Sequence, residues 1–272
     1  MVYRRGHTEY TIQAQREIIL SAGAVQSPQL LQLSGIGEAP HLQQFGIPVV
    51  KDLPEVGRNL QDHLQVRLIH RTTHPGTTNS QMRNPWSWLC MGIGYVLSRS
   101  GPMAVGINQA GAFIRSSAVL NRPDIQFHFA ALSADLPGAP LHSFPAFTSS
   151  VCQLRPTSRG SVTLKSRHAQ AAPAICPNYL ATEHDRLTIV AGLKTARKIT
   201  AQPALSTHIS AEYSPGTSVQ TDDERSEEHT AELQSLVKRV CRLLLDKKKE
   251  KKNKKKHKTN ASHTQRRRST ID

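Results

Sequence analysis

The period of apolar and polar positions changes along the chain. In Asp124-Ile125-Gln126-Phe127-His128-Phe129 the two classes alternate, as one half-buried sheet strand requires. Residues 147–154 and 161–164 read as two more strands around the turn Arg155-Pro156-Thr157-Ser158-Arg159-Gly160, and residues 174–179 as another. Near the N-terminus, Val2-Tyr3 and Tyr10-Thr11-Ile12 flank a polar turn at Gly6 and His7, a hairpin pattern. The run Glu17-Ile18-Ile19-Leu20-Ser21-Ala22-Gly23 passes from β-branched to small residues, the pattern of a buried strand that ends beside a ligand or another backbone. Val49-Val50 reads as a short strand.

Helical spacing appears between these runs. Ser27 is placed to N-cap a helix with Pro28 at its first position; Leu30, Leu31 and Leu33 form its apolar side, and Gly35 and Gly37 end it. A second short helix is expected over residues 41–45, closed by Gly46. Asn84-Pro85 repeats the capping signal before an aromatic helix over residues 86–97. Trp86 and Trp88, two apart, fall on different sides of it, and ordinary packing is expected of at least one. Thr182 caps a helix with Glu183 and Asp185 in its first turn and a stripe of Ile189, Leu193, Ala196 and Ile199, ending near Pro203. Strands and helices together give an α/β class, α+β overall, divided into residues 1–75 and a sheet-plus-helix portion over 76–224.

Charge separates off the remainder. Of the net +15, residues 225–272 carry +10, with sixteen Lys and Arg against six Asp and Glu. The strongly basic pI therefore describes a tail and not a folded basic patch, and no nucleic-acid partner is expected of the rest. Cys90, Cys152, Cys176 and Cys241 form no CxxC pair, which indicates neither zinc nor a disulfide framework and a reducing, cytoplasmic compartment. The longest apolar stretch, over residues 86–97, is broken by Gly92 and Gly94 and too short to span a bilayer, so a soluble chain is expected. His63, His70 and His74 read as solvated loop histidines, because their spacing across Pro75 and Gly76 fixes no metal geometry. No metal is expected. Asp62 and His63, as neighbours, read as a structural loop and not as a carboxylate orienting a base.

The fifteen residues Gly23-Ala24-Val25-Gln26-Ser27-Pro28-Gln29-Leu30-Leu31-Gln32-Leu33-Ser34-Gly35-Ile36-Gly37 resemble the second signature of the glucose–methanol–choline (GMC) oxidoreductase family in full. Gly57-Arg58-Asn59-Leu60-Gln61-Asp62-His63, Gly101-Pro102, Pro123-Asp124-Ile125-Gln126, the turn over 155–160 and Gln202-Pro203-Ala204-Leu205 also look like that family, and especially its choline dehydrogenase-like branch. The resemblance implies part of an FAD-binding, Rossmann-like domain in residues 1–75 and part of a substrate domain built on an antiparallel sheet with helices in residues 76–224. It also implies FAD as cofactor, contacted by Ala22, Gly23, Ala24, Ser27 and Ser34, and a small alcohol such as choline as the substrate of the full-length parent. Small residues at Ala22 and Gly23 let a cofactor approach the backbone, and a helix start offers free N–H groups. The same residues also suit a tight strand-to-helix turn with no ligand.

Two family features are expected to be missing. No GxGxxG spacing follows a strand near the N-terminus to hold the FAD pyrophosphate, and the chain departs from the family pattern at Asp222-Asp223-Glu224, before the segment that carries the family's catalytic His and its His or Asn partner. No catalytic residue is therefore assigned. The chain reads as an internal fragment that neither retains FAD nor turns over, its parent being a cytoplasmic enzyme for which peripheral membrane association is left open. Residues 225–235 resemble the in-frame translation of a sequencing adapter, and the Lys-rich run after them reads as a disordered tail. A second reading makes that tail a polyanion-binding arm.

Overall fold

The computed structural model describes residues 1–136 and 138–216. The described residues divide into two compact units: Met1–His63 with Arg155–Asp185, and Leu64–Leu154 with residues 186–216. The first unit thus takes in a segment that a contiguous division at residue 75 leaves out. The expected disordered tail over 225–272 lies outside the described residues.

In the first unit, β1 (Val2–Arg5) and β2 (Thr8–Thr11) form the expected hairpin, with Gly6 at a positive φ and Tyr3 stacked on Tyr10 at 5.2 Å. The strand expected over residues 17–23 does not form. Ile18 and Ile19 are exposed, and a strand exists only through the ladder of a neighbour. Helix α1 (Gly23–Leu33) begins earlier than Ser27-Pro28. Gly23 turns the chain at φ +83°, and the Ser27 hydroxyl accepts the Ala22 N–H at 3.1 Å from within the helix. Pro28 therefore lies inside the helix rather than at its start, where it removes one hydrogen bond of the opening turns.

α1 ends as its composition requires. Ser34 N–H bonds the Leu30 and Leu31 carbonyls, and Gly35 follows at φ +83°. Beyond it, β3 (Ile36–Gly37) pairs in parallel with β4 (Lys51–Asp52), around α2 (Ala39–Gln44). The strand forms at 51–52 and not at Val49-Val50, because the Val50 and Lys51 N–H groups are both taken by the Gly35 carbonyl. Leu42, Ile47 and Leu164 make the core here, with Leu33 and Phe45 packed against them. β9 (Ser161–Thr163) pairs antiparallel with β10 (Ala174–Cys176).

The second unit is a five-stranded antiparallel sheet, ordered β11 (Ile209–Ser214), β5 (Gln65–Thr72), β8 (Ala146–Gln153), β7 (Ile125–Ala130), β6 (Ala110–Ile114). Sequence reasoning foresaw β7 and β8 but not β5, β6 or β11. One face carries Val66, Leu68, Ile125, Phe127 and Val151, all buried, and α5 (Glu183–Thr200) packs on it through buried Ile189, Val190, Leu193 and Ala196. Contact is close at Gly192, where a methyl would lie 2.4 Å from Val151 Cγ1. Thr182 accepts the Asp185 N–H at 3.3 Å, the expected cap.

His70 sits on β5 with its ring buried, stacked 5.1 Å from Phe147, and is not the solvated loop histidine expected. The alternation of Val66, Leu68 and His70 places it on the covered face of the sheet. α3 (Thr78–Arg83) precedes α4 (Pro85–Ser98), which Asn84 caps by accepting the Trp86 N–H at 3.0 Å. No residue of α4 is buried, and Trp86 and Trp88 are 68% and 50% exposed, so the packing expected of one tryptophan is not found. A short 3₁₀ turn over Pro102–Ala104 follows, and α6 (Pro203–Ser206) precedes β11. No helix of the described residues is long and apolar enough to cross a membrane.

Candidate functional site

The residues expected at a cofactor divide between the two ends of α1. Ala22, Gly23 and Ala24 form its exposed start, and Ser27 reaches back to them through its bond to Ala22 N–H. Ser34 stands at the other end, about 16 Å away at the helical rise per residue, with its hydroxyl donating to the Leu30 carbonyl at 2.7 Å. The start has no side-chain cap and no acidic residue in its first turn. First-turn N–H groups that no side chain caps, at the positive end of a helix dipole, suit an anion. Beside Gly23 the space is open: a methyl added there would meet nothing within 4 Å. A phosphate-bearing group fits this end on charge and on room.

What seats this helix was not foreseen. Gln29 and Gln32 are each 2% exposed. Gln29 Nε2 donates to the Ala171 carbonyl at 2.7 Å; Gln32 Nε2 donates to Val162 O at 2.9 Å, and its Oε1 accepts Leu164 N–H at 3.2 Å. The signal was in the sequence: two amides three residues apart share a helix face beside Leu33, where polar groups need partners. Gly57, at φ +84°, accepts the Val162 N–H at 2.6 Å, and a methyl there would meet Val162 O at 2.1 Å.

The loop from Gly57 to His63 is held by backbone and side chain. Leu60 and Gly160 exchange N–H···O bonds of 3.0 and 2.8 Å. Asp62 accepts the His63 N–H at 2.9 Å and, with its other oxygen, the hydroxyl of Tyr179. Burial, and then the carboxylate that it bonds, push the Tyr179 phenol well above its usual pKa. Asp62 is thus engaged by Tyr179, in keeping with a structural loop. A second network fixes the turn over 155–160: Asp185 accepts Thr157 N–H and Ser158 N–H, each at 2.8 Å, while Ser158 Oγ accepts Ala181 N–H at 3.0 Å.

In the second unit the sheet face opposite α5 mixes polar residues with buried Ile69, Ala130 and Ala146. Register places Gly111, His128, Ser150 and Arg67 in one row across four strands, and Phe113, Gln126, Cys152 and Gln65 in the next. His128 and Gln126 are half-buried there. On the α5 side, Arg197 makes two hydrogen bonds to the Glu212 carboxylate, at 2.7 and 3.0 Å, and His70 Nε2 lies 4.0 Å from the same group. Burial lowers the His70 pKa, a loss that Glu212 opposes and Arg197 reinforces. Ser133, His142 and Asp135 are linked in series at 2.9 Å each, but Ser133 is fully buried and its hydroxyl also accepts from Asn79 Nδ2 at 3.2 Å. With no access for substrate, this chain of bonds holds the 133–142 loop and is not a nucleophilic triad. Among the described residues no cluster of three or more His, Cys, Asp or Glu could hold a metal.

Comparison with known proteins accounts for this arrangement. The N-terminal model of GMC oxidoreductase matches residues 2–65 and the C-terminal model residues 156–264, so the match continues into the region that sequence reading set apart as a tail. An oxygen-dependent choline dehydrogenase of Brucella canis is 40% identical over 219 residues, which cover 80% of this chain and 40% of that protein. An alcohol dehydrogenase [acceptor] of Pseudomonas putida is 38% identical over 212 residues, 76% of this chain and 38% of the other. Among solved structures, formate oxidase from Aspergillus oryzae, studied for modification of its FAD, superposes with TM-score 0.73 at 26% identity, over 84% of this chain and 44% of that one. The mixed helix and antiparallel sheet architecture expected from sequence is the one these structures share. The chain spans about two fifths of the length of the curated relatives that it matches. The chain belongs to the GMC oxidoreductase family.

Proposed function

We propose that this chain is the part of an FAD-dependent oxidoreductase, acting on the CH–OH group of a small alcohol such as choline, that carries one FAD-contacting helix and the substrate sheet. The observation that supports it most is the start of α1: uncapped, free of acidic residues and open beside Gly23, inside the family's own signature. Gly23 and Ala24 would hold polar atoms of FAD through backbone N–H groups, while Ala22, whose N–H is bonded to Ser27 Oγ, would shape the turn with Ser27. Ser34, at the far end of the helix with its hydroxyl already committed, would act by ending α1 and not by reaching the same part of the cofactor. FAD, when bound, supplies a hydride acceptor. The chain's own contribution on the substrate side is the sheet face opposite α5, where half-buried His128 and Gln126 offer groups that can bind an alcohol hydroxyl. His128 would orient the hydroxyl or take its proton; no residue of the chain is assigned as the base of the whole enzyme. The reading of residues 225–272 as a polyanion-binding arm draws no support from the family match.

Titration of FAD into the purified chain, followed by flavin fluorescence, tests the cofactor half. Weak, saturable binding is expected, lost in Ala24→Glu, which sets a carboxylate in the first turn of the helix. Binding that Ala24→Glu leaves intact would place FAD elsewhere.

A further inference from the structure

We infer that Gln32 is a positioning residue whose side chain extends, along the edge of β9, a pairing that the backbone of the 57–60 loop begins. β9 has β10 on one edge. On the other edge loop backbone pairs first, Leu60 with Gly160 and the Gly57 carbonyl with Val162 N–H; the Val162 carbonyl and the N–H of Leu164, one residue past β9, are then both taken by the amide of one side chain, across 130 and 132 residues of sequence. A carboxamide offers a donor and an acceptor in the same plane, as a peptide group does, so it carries the ladder one step past the loop backbone. Gln32 is fixed in return. It lies in the third turn of α1, and its Nε2 would be 2.7 Å from a methyl on Gly57, so helix, loop and strand meet at this one group.

The consequence is mechanical and rests on the cofactor reading above. The start of α1 carries no side-chain cap, and Ala22, Gly23 and Ala24 are exposed. Its direction is set from further along, by Gln32 and by Gln29, which donates to Ala171 O one turn earlier. A helix pinned at its third turn presents its first-turn N–H groups in a fixed direction, whereas a helix seated only by Leu33 and neighbouring apolar groups can rotate about its axis.

Three forms of the full chain separate this role from general stability: wild type, Gln32→Glu and Gln32→Leu. Gln32→Glu keeps an acceptor for Leu164 N–H but sets an oxygen against Val162 O; Gln32→Leu keeps the volume and loses both bonds. Amide exchange by NMR should show Leu164 protected in wild type and exchanging roughly tenfold faster in Gln32→Leu. In Gln32→Glu the Leu164 protection should be largely retained, while helical signals stay in all three. Unchanged Leu164 exchange in Gln32→Leu overturns the proposal, and so does equal loss in both variants. FAD titration is the second readout, with roughly tenfold weaker binding expected in Gln32→Leu. Wild type that binds no FAD counts against the cofactor reading alone, and the clamp is then judged by exchange.

Discussion

At the scale of single residues, glycines divide by what surrounds them. A methyl on Gly57 would lie 2.1 Å from Val162 O in a backbone already at φ +84°, so Gly57→Ala should cost at least about 2 kcal/mol. Gly23 shares the positive φ, at +83°, but has open space around it, and Gly23→Ala should cost only about 1 kcal/mol. Urea midpoints of the two variants check the contrast, and equal losses would contradict it. The sequence showed both glycines inside family motifs. It could not show which was crowded, because the crowding comes from a strand far along the chain. The same holds for Gln32, legible as a polar residue on an apolar face while its partners were not.

His70 gives a pH dependence at the same scale. Its folded pKa lies below the ordinary 6.5, so the unfolded chain binds the proton more readily. The contribution is complete above pH 6.5 and is lost as pH falls from there toward the folded value. His70→Phe, which can keep the stack on Phe147, should flatten this part of the acid limb. Thermal melts at several pH values between 5 and 8 would show it, and parallel curves for the two proteins would refute it. His70 was misread because a His at an inward position looks polar to a period count, and Pro75-Gly76 just beyond β5 made the whole stretch look like a loop.

At the scale of elements, β11 is joined to the sheet and to α5 through Glu212. Removing Arg197 would leave a carboxylate only 11% exposed without its guanidinium. Arg197→Met should therefore lose about 3 kcal/mol, whereas the double change Arg197→Met with Glu212→Met should recover much of it. Denaturant unfolding of the three proteins measures this, and an additive double variant would contradict it. α5 itself was legible, cap and stripe together, because a long helix with one covered face repeats its signal over several turns. α1 was legible in place but not in start, since Ser27-Pro28 has the composition of a cap while the turn that begins the helix is made by Gly23. The strand expected over residues 17–23 shows the reverse case, an apolar run whose fate depends on neighbours that local sequence does not name.

At the scale of the whole molecule, apolar surface is the clearest prediction. Trp86, Trp88, Leu89, Ile93, Val96 and Leu97 are all about half exposed or more along α4, and all but Trp86 border a concavity of about 640 Å³ that also includes Gly92. Ile18 and Ile19 add a second exposed run. Contiguous apolar surface of this kind drives association. The purified chain should self-associate at micromolar concentration in sedimentation experiments, and Trp88→Ser with Val96→Ser should reduce it. A wild-type chain that stays monomeric would show that this surface is inert.

The proposed role of these residues is to contribute to FAD-dependent oxidation of a small alcohol. Its most direct test replaces the 219 aligned residues of the Brucella canis choline dehydrogenase with those of this chain and measures flavin content and substrate-dependent flavin reduction. A flavin-bearing chimera that choline or another small alcohol reduces is expected, with a large loss of that reduction, flavin retained, in His128→Ala. A folded chimera that carries no flavin, or one whose flavin no alcohol reduces, would contradict it.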